Sequence, residues 1–205
     1  MSQQMSQQAS QQASQQASQQ TTTSRMSGPA RREQILAAAR KVFAEDGYAA
    51  STDQVARAAG VSQPYVVRLF GTKRDLFVEA YTHATAEVCA TLAAVPAGPD
   101  ADARMGAAYV ELLADRDLLR LVMHGFVAGN DPEVGRAARA CLGEAYRLFV
   151  ERSGGTPEQG RDFVAMGMLV NVLLAVGADA HVGESEGMDA LLACVDSSIE
   201  EVRGA

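Results

Sequence analysis

Between Ser51 and Leu69 the sequence leaves room for two short helices joined by one tight turn, and for little else. Ser51 and Gln54 form an S-x-x-Q capping box, in which each side chain accepts a hydrogen bond from the other's backbone N–H, so a helix opens there and runs through Ala58. Gly60 follows, then Val61, and Ser62 stands as a second N-cap. Pro64 falls within the first turn of the next helix, where its missing N–H costs nothing. Two short helices around a glycine turn make a helix-turn-helix, and every position that this geometry requires is filled. Small Ala56 lets the helices approach, Gly60 suits a left-handed turn, and Val55, Ala59, Val61, Val66 and Leu69 supply the apolar contacts. The second helix starts Ser62-Gln63-Pro64-Tyr65, with polar and planar groups crowded into one turn. A helix that begins this way is suited to pressing its start against a partner.

The rest of the chain reads as helix too. From Ala30 to Asp46, Ile35, Ala39, Val42 and Phe43 share one face, and Gly47 is a natural stop. A long helix is expected from Lys73 to Val95, with Leu76, Phe77, Ala80, Tyr81, Ala84, Val88 and Leu92 inward, broken by Pro96-Ala97-Gly98-Pro99. Further helices are expected near 101–115, 117–128, 132–152, 157–178 and 187–202. Asp131-Pro132-Glu133 and Thr156-Pro157-Glu158-Gln159 mark two of the starts with a cap, a proline and an acid. No stretch reads as a strand, so the expected fold is all-α. The first 20 residues repeat Ser-Gln-Gln five times and offer nothing large to bury but Met1 and Met5, so the segment 1–28 is expected to be a disordered tail.

Charge divides the chain. Residues 25–75 hold nine Lys and Arg against five acids, whereas residues 76–205 hold nine Arg against twenty acids. A net charge of −7 therefore conceals a basic head of +4 on an acidic body of −11, the distribution of a nucleic-acid-binding head. Cys89, Cys141 and Cys194 lie far apart in sequence with no recognisable signal peptide, which points to reduced thiols in a cytoplasmic protein and against a disulfide framework. The most apolar run, Val164 to Ala178, contains Asn171 and is too short to span a bilayer. His83, His124 and His181 have no metal-ligand spacing, and neither a phosphate-binding glycine loop nor a nucleophile motif stands out. The reading is a non-enzymatic protein with no catalytic residues, cofactor or metal.

Residues 31–77, from Arg31-Arg32-Glu33-Gln34-Ile35-Leu36 through Gly60-Val61-Ser62 to Phe70-Gly71-Thr72-Lys73-Arg74-Asp75-Leu76, resemble the DNA-binding domain of the tetracycline-repressor (TetR) family. The resemblance implies a three-helix DNA-binding domain over 29–75 and a helical effector-binding and dimerisation domain over 76–205. It implies a homodimeric transcriptional regulator on double-stranded operator DNA, usually a repressor released from a palindromic operator by a small molecule. The alternative is a DNA-binding regulator with no effector, its body used for dimerisation or protein contacts. Carried over by position, Gln63, Pro64 and Tyr65 meet base edges, while Thr52, Arg68, Thr72 and Lys73 meet phosphates; Ser62 completes the DNA-binding set. Val67 stands where the family commonly has tyrosine, and the connection from Gly47-Tyr48 to Val55-Ala56 is one residue shorter than usual. Physically, the start of a recognition helix enters the major groove, where glutamine can pair with an adenine edge and proline and tyrosine can pack on a thymine methyl.

The last helix places Met188, Leu192, Val195, Ile199 and Val202 at alternating spacings of four and three, a seam for another helix. The helix before it is apolar nearly all round. A four-helix dimer interface is therefore expected from Phe163, Met166, Val170 and Leu174 together with Met188, Leu192, Val195 and Ile199. Tyr109, Met123, His124, Phe126, Tyr146, Met166 and Asn171 are candidates for a small-molecule pocket, which is commonly apolar with a few polar groups.

Overall fold

The computed structural model describes the backbone of residues 27–203 and the side chains of residues 27–195. The Ser-Gln-Gln segment and the side chains of Ile199 and Val202 lie outside the described residues. Among the described residues, those from Ile35 onward form one compact unit and those before it belong to another.

Among the described residues the chain is all helix: α1 (Gly28–Asp46), α2 (Thr52–Ala58), α3 (Gln63–Phe70), α4 (Lys73–Ala94), α5 (Ala101–Leu112), α6 (Arg116–Val127), α7 (Pro132–Ser153), α8 (Pro157–Ala175) and α9 (Glu186–Arg203). The boundaries follow local chemistry. Gly47 takes φ +60 and turns α1 into a short 3-10 segment, Gly47–Ala49. Ser51 and Gln54 form the expected capping box on α2, and Thr156 with Gln159 form another on α8. Asp131 caps α7 by accepting from the N–H groups of Glu133 and Val134. The α5 helix stops three residues before its expected end, because Asp115 turns to cap α6 through the N–H groups of Asp117 and Leu118.

Helix α4 is the spine. Leu76, Phe77, Tyr81, Val88 and Leu92 along it are all buried. At its start Phe77 meets Phe43 of α1 edge-on at 5.0 Å and Tyr48 of the 3-10 turn at 5.0 Å, so aromatic contacts join the head to the body. Two arginines, making three ion pairs, reinforce that join. Arg40 of α1 reaches Glu87 of α4 at 2.7 Å and also Asp115 at the start of α6. Arg74 grips Asp131 with two bonds of 2.6 and 2.9 Å. A second, smaller apolar cluster gathers Leu113 just past α5, Leu119 of α6, Val170 and Leu173 of α8, Ala178 of the following turn and Val195 of α9.

The hydroxyl of Tyr81 is buried with no hydrogen-bond partner among the described residues. Tyr81→Phe is expected to hold or raise stability, by up to about 1 kcal/mol, because it removes only a desolvated oxygen. A clearly lowered Tm would show that the hydroxyl is bonded after all.

Candidate nucleic-acid interface and small-molecule cavity

The α2–α3 unit is locked from within. Val55, Ala56, Ala59 and Val66 are buried, and the Val61 N–H donates to the Ala56 carbonyl at 3.0 Å across the turn. Gly60 holds φ +64 with open space where a Cβ would stand, so backbone conformation alone calls for glycine here. On this rigid base the first turn of α3 faces outward. Ser62 and Pro64 are exposed, as are Val67 and Arg68 one turn on. Ser62 is the N-cap of α3, as expected, but by backbone alone; its hydroxyl makes no cap bond.

Gln63 is half-buried and donates from Nε2 to Thr52 Oγ1 at 3.2 Å, so α2 orients the amide that α3 presents. The Arg68 guanidinium lies 5.0 Å from the centre of the Tyr65 ring, a cation–π contact that ties both side chains to one place. Lys73 donates from Nζ to the Tyr48 carbonyl at 2.8 Å and sits 4.6 Å from the Tyr48 ring centre. An ammonium has three donors, so this anchoring leaves capacity for an anion. Thr72 is committed to the start of α4: its hydroxyl donates to Asp75 Oδ2 at 2.8 Å and accepts from the Asp75 N–H at 3.1 Å. A bond from the Thr72 hydroxyl to a phosphate would have to displace that cap. The cap holds the Asp75 carboxyl below the usual carboxylate range.

Next to Lys73, Arg74 turns away from this face toward Asp131. Its hydrogen bond, together with the two N–H groups at the start of α7, holds the Asp131 carboxyl below its ordinary value. The folded value lies under the unfolded one, so this contribution is complete above the ordinary carboxylate range and is lost as pH falls through the folded value. The Tm gap between the wild type and Asp131→Asn is therefore expected to be widest near neutrality and to close below about pH 4. Melting curves from pH 7 to 3 read it directly.

In the body, two cavities share the wall made by Tyr109, Phe163 and Gly167. The outer one is about 470 Å³, opens between α5, α8 and α9, and includes Asp102, Gln159, Asp162 and Met166 in its lining. The inner one is about 50 Å³ and lies among α4, α5, α6, α7 and α8, with Phe126, Cys141, Met168 and Asn171 in its lining. Of the expected pocket residues, Tyr109, Phe126 and Asn171 meet at the inner cavity and Met166 lines the outer one. Tyr109 donates its hydroxyl to Asn171 Oδ1 at 2.9 Å, and Asn171 is only 1% exposed. Burial pushes the Tyr109 hydroxyl up to about 12. Three candidates stand elsewhere. Met123 packs on the second apolar cluster, Tyr146 lies against Gly160, and the His124 ring lies against Gly47 at the head.

The expected interface residues divide in two. Val170 and Val195 are buried within the protomer, and Leu174, Met188 and Leu192 pack on the same cluster, so the described part of the α9 seam, Met188 to Val195, faces its own chain. Phe163 stacks on Phe149 at 4.7 Å. Met166 is exposed, and so are Val172 and Val176 of the α8 region and Leu191 of α9, none of which the sequence reading had singled out. The three cysteines are free thiols. Cys89 and Cys141, far apart in sequence, place their sulfurs 4.0 Å from each other. That contact holds the Cys89 thiol below its ordinary value and, with burial, pushes the Cys141 thiol up.

Two short helices locked around a glycine turn, with the polar start of the second facing outward, form a helix-turn-helix in a chain that is all helix among the described residues. Residues 35–80 match the family described as bacterial regulatory proteins, tetR family. Solved structures agree in fold. A transcriptional regulator from Rhodococcus sp. Rha1 is 26% identical, with a TM-score of 0.61 over 83% of this chain and 94% of that one. A member of the TetR family from Streptomyces coelicolor A3 is 23% identical, with a TM-score of 0.61 over 80% of this chain and 97% of that one. The multidrug binding protein EbrR, solved in complex with imidazole, is 22% identical, with a TM-score of 0.59 over 82% and 90%. No helix among the described residues is long and apolar enough to cross a membrane.

Proposed function

We propose that this protein is a cytoplasmic homodimeric repressor that holds a palindromic operator through α3 and releases it when a small molecule enters the body. The observation that carries the reading is the first turn of α3, where Ser62, Gln63, Pro64 and Tyr65 project from a base whose own contacts are buried. In this reading Gln63, Pro64 and Tyr65 read bases, and Ser62, Thr52, Arg68, Thr72 and Lys73 hold the backbone; phosphate contacts fix register while base contacts specify. Thr52 serves partly by orienting Gln63.

Dimerisation is assigned to the outward side of α8 and α9, where Met166, Val172, Val176 and Leu191 leave apolar surface in water. The expected pair of helices is kept; the inward α9 seam serves the protomer core. Two copies joined there would present α3 helices to successive major grooves, about 34 Å apart. Effector binding is assigned to the two cavities, an assignment supported by the contact of the inner one with Val88 and Leu92 of α4 and by the likeness to a multidrug binding protein of the same fold.

Selection of bound duplexes from a random library, with sedimentation of the purified protein, tests the whole reading. A palindromic consensus bound by two chains is expected. Single half-sites bound by one chain would overturn the dimer, and no enriched sequence would overturn the regulator. A ligand panel that shifts neither Tm nor operator affinity would leave a regulator without an effector.

A further inference from the structure

We infer that the inner cavity selects an uncharged, largely apolar effector bearing one hydrogen-bond acceptor, and that the side-chain amide of Asn171 reads that acceptor. This rests on the effector-responsive reading above. Asn171 is buried, and its Oδ1 is taken by the Tyr109 hydroxyl. Its Nδ2 donates to Met168 Sδ at 3.8 Å. A thioether accepts weakly and cannot donate, so this arrangement both fixes the amide's orientation and leaves its N–H groups poorly served. A carbonyl oxygen brought into the cavity is a better acceptor than the sulfur it displaces. No lysine, arginine or histidine is among the described residues lining either cavity, and the outer one carries Asp102 and Asp162 at its wall. A carboxylate or phosphate would enter without a counter-charge and lose its hydration, which strongly disfavours it. The apolar remainder of the effector extends past Tyr109 and Phe163 into the outer space, whose volume falls within the range of small-molecule sites.

Calorimetric titration with 2-decanone, decanoate and decyltrimethylammonium tests this on the wild type, Asn171→Leu and Asn171→Asp, with the melting curve of each unliganded variant as the folding control. The ketone is expected to bind at least about tenfold more tightly than decanoate, and Asn171→Leu to cost it about tenfold. Asn171→Asp keeps the size but replaces the donor with an acceptor, and is expected to lose the ketone as well. Equal or tighter binding of decanoate, or full ketone affinity in a folded Asn171 variant, would overturn the inference. Binding of the ammonium probe alone would overturn it and leave the effector-responsive reading standing. Ketone binding that leaves affinity for the selected operator unchanged would do the reverse. No binding by any probe would overturn both.

A separate observation carries a second proposal: Cys89 of α4 and Cys141 of α7 form a peroxide-oxidisable dithiol. Their sulfurs are 4.0 Å apart, and Cys89 is half-buried while Cys141 lines the inner cavity. Cys89 sulfur attacks one oxygen of hydrogen peroxide, the O–O bond breaks, and the released hydroxide takes the thiol proton as water. Cys141 sulfur then attacks the sulfenic sulfur, closing the disulfide and releasing the second water with its own proton. The two sulfurs are oxidised by two electrons in all, and the peroxide is reduced to two waters. The product would pin α4 to α7. Peptide mapping without reductant after peroxide treatment is expected to find a Cys89–Cys141 linked peptide, two hydrogens lighter than the free pair, restored by dithiothreitol and absent in Cys89→Ser. Sulfinic acid at Cys89 with Cys141 unmodified, or a link formed through Cys194, would overturn it.

Discussion

Gln63→Ala is expected to lose operator affinity by roughly 5- to 150-fold, the worth of one bidentate base contact of about 1–3 kcal/mol, and to relax the choice of base at one position in each half-site. The amide is oriented before DNA arrives, since its Nε2 already bonds Thr52 Oγ1. Thr52→Val is therefore expected to show a weaker copy of the same change in preference, although valine keeps the shape. Lys73→Ala is expected to differ in kind: it weakens all duplexes alike and lowers the salt slope by about one ion. Selected sequences for the three variants, with affinities at two salt concentrations, separate these roles. An unchanged preference in Gln63→Ala would reduce that side chain to a positioning part.

Gly125→Ala is expected to be the most damaging single methyl group in the body. A Cβ at Gly125 on α6 would stand 1.9 Å from Cε2 and 2.3 Å from Cζ of Tyr81 on α4. Tyr81 is fully buried, so its ring cannot swing into solvent to make room. Either α6 lifts off α4 or the ring is forced from its place, at about 2–3 kcal/mol, the upper part of the overpacking range. For a chain of this size that lowers Tm by roughly 4–12 °C. In the double variant Gly125→Ala with Tyr81→Leu, the clash and the cavity offset each other. Its Tm is expected to fall by less than the sum of the single changes. Additive losses would place the methyl group elsewhere.

What the sequence discloses follows from how near the partners lie along the chain. Ser51 with Gln54, Thr156 with Gln159, Asp131 with its own helix start, and Gly60 with its left-handed turn are contacts within a few residues, and all were legible. The register of α2 against α3 was legible too, because a tight turn allows only one way to bury Val55, Ala59 and Val66. The pairs that shape the body are 52 to 62 residues apart: Cys89 with Cys141, Arg74 with Asp131, Tyr109 with Asn171. Nothing local announces them, although Tyr109 and Asn171 were each singled out as candidates. The α9 stripe shows a different limit. An apolar face at spacings of three and four records that a helix will be covered, and says nothing about whether its own chain or a second copy covers it. Here Val195 and its neighbours meet α5, and the uncovered surface lies around Val172, Val176 and Leu191.

One unbroken helix carries both Lys73, at the edge of the head, and Leu92, on the wall of the inner cavity. At 1.5 Å per residue those two positions are about 28 Å apart along the axis. A stiff rod of that length, tilted by about 5° about its cavity end, swings its far tip by about 2.5 Å. That displacement is close to a whole hydrogen-bond length, so a tilt of that size would be enough to make or break contacts around Lys73.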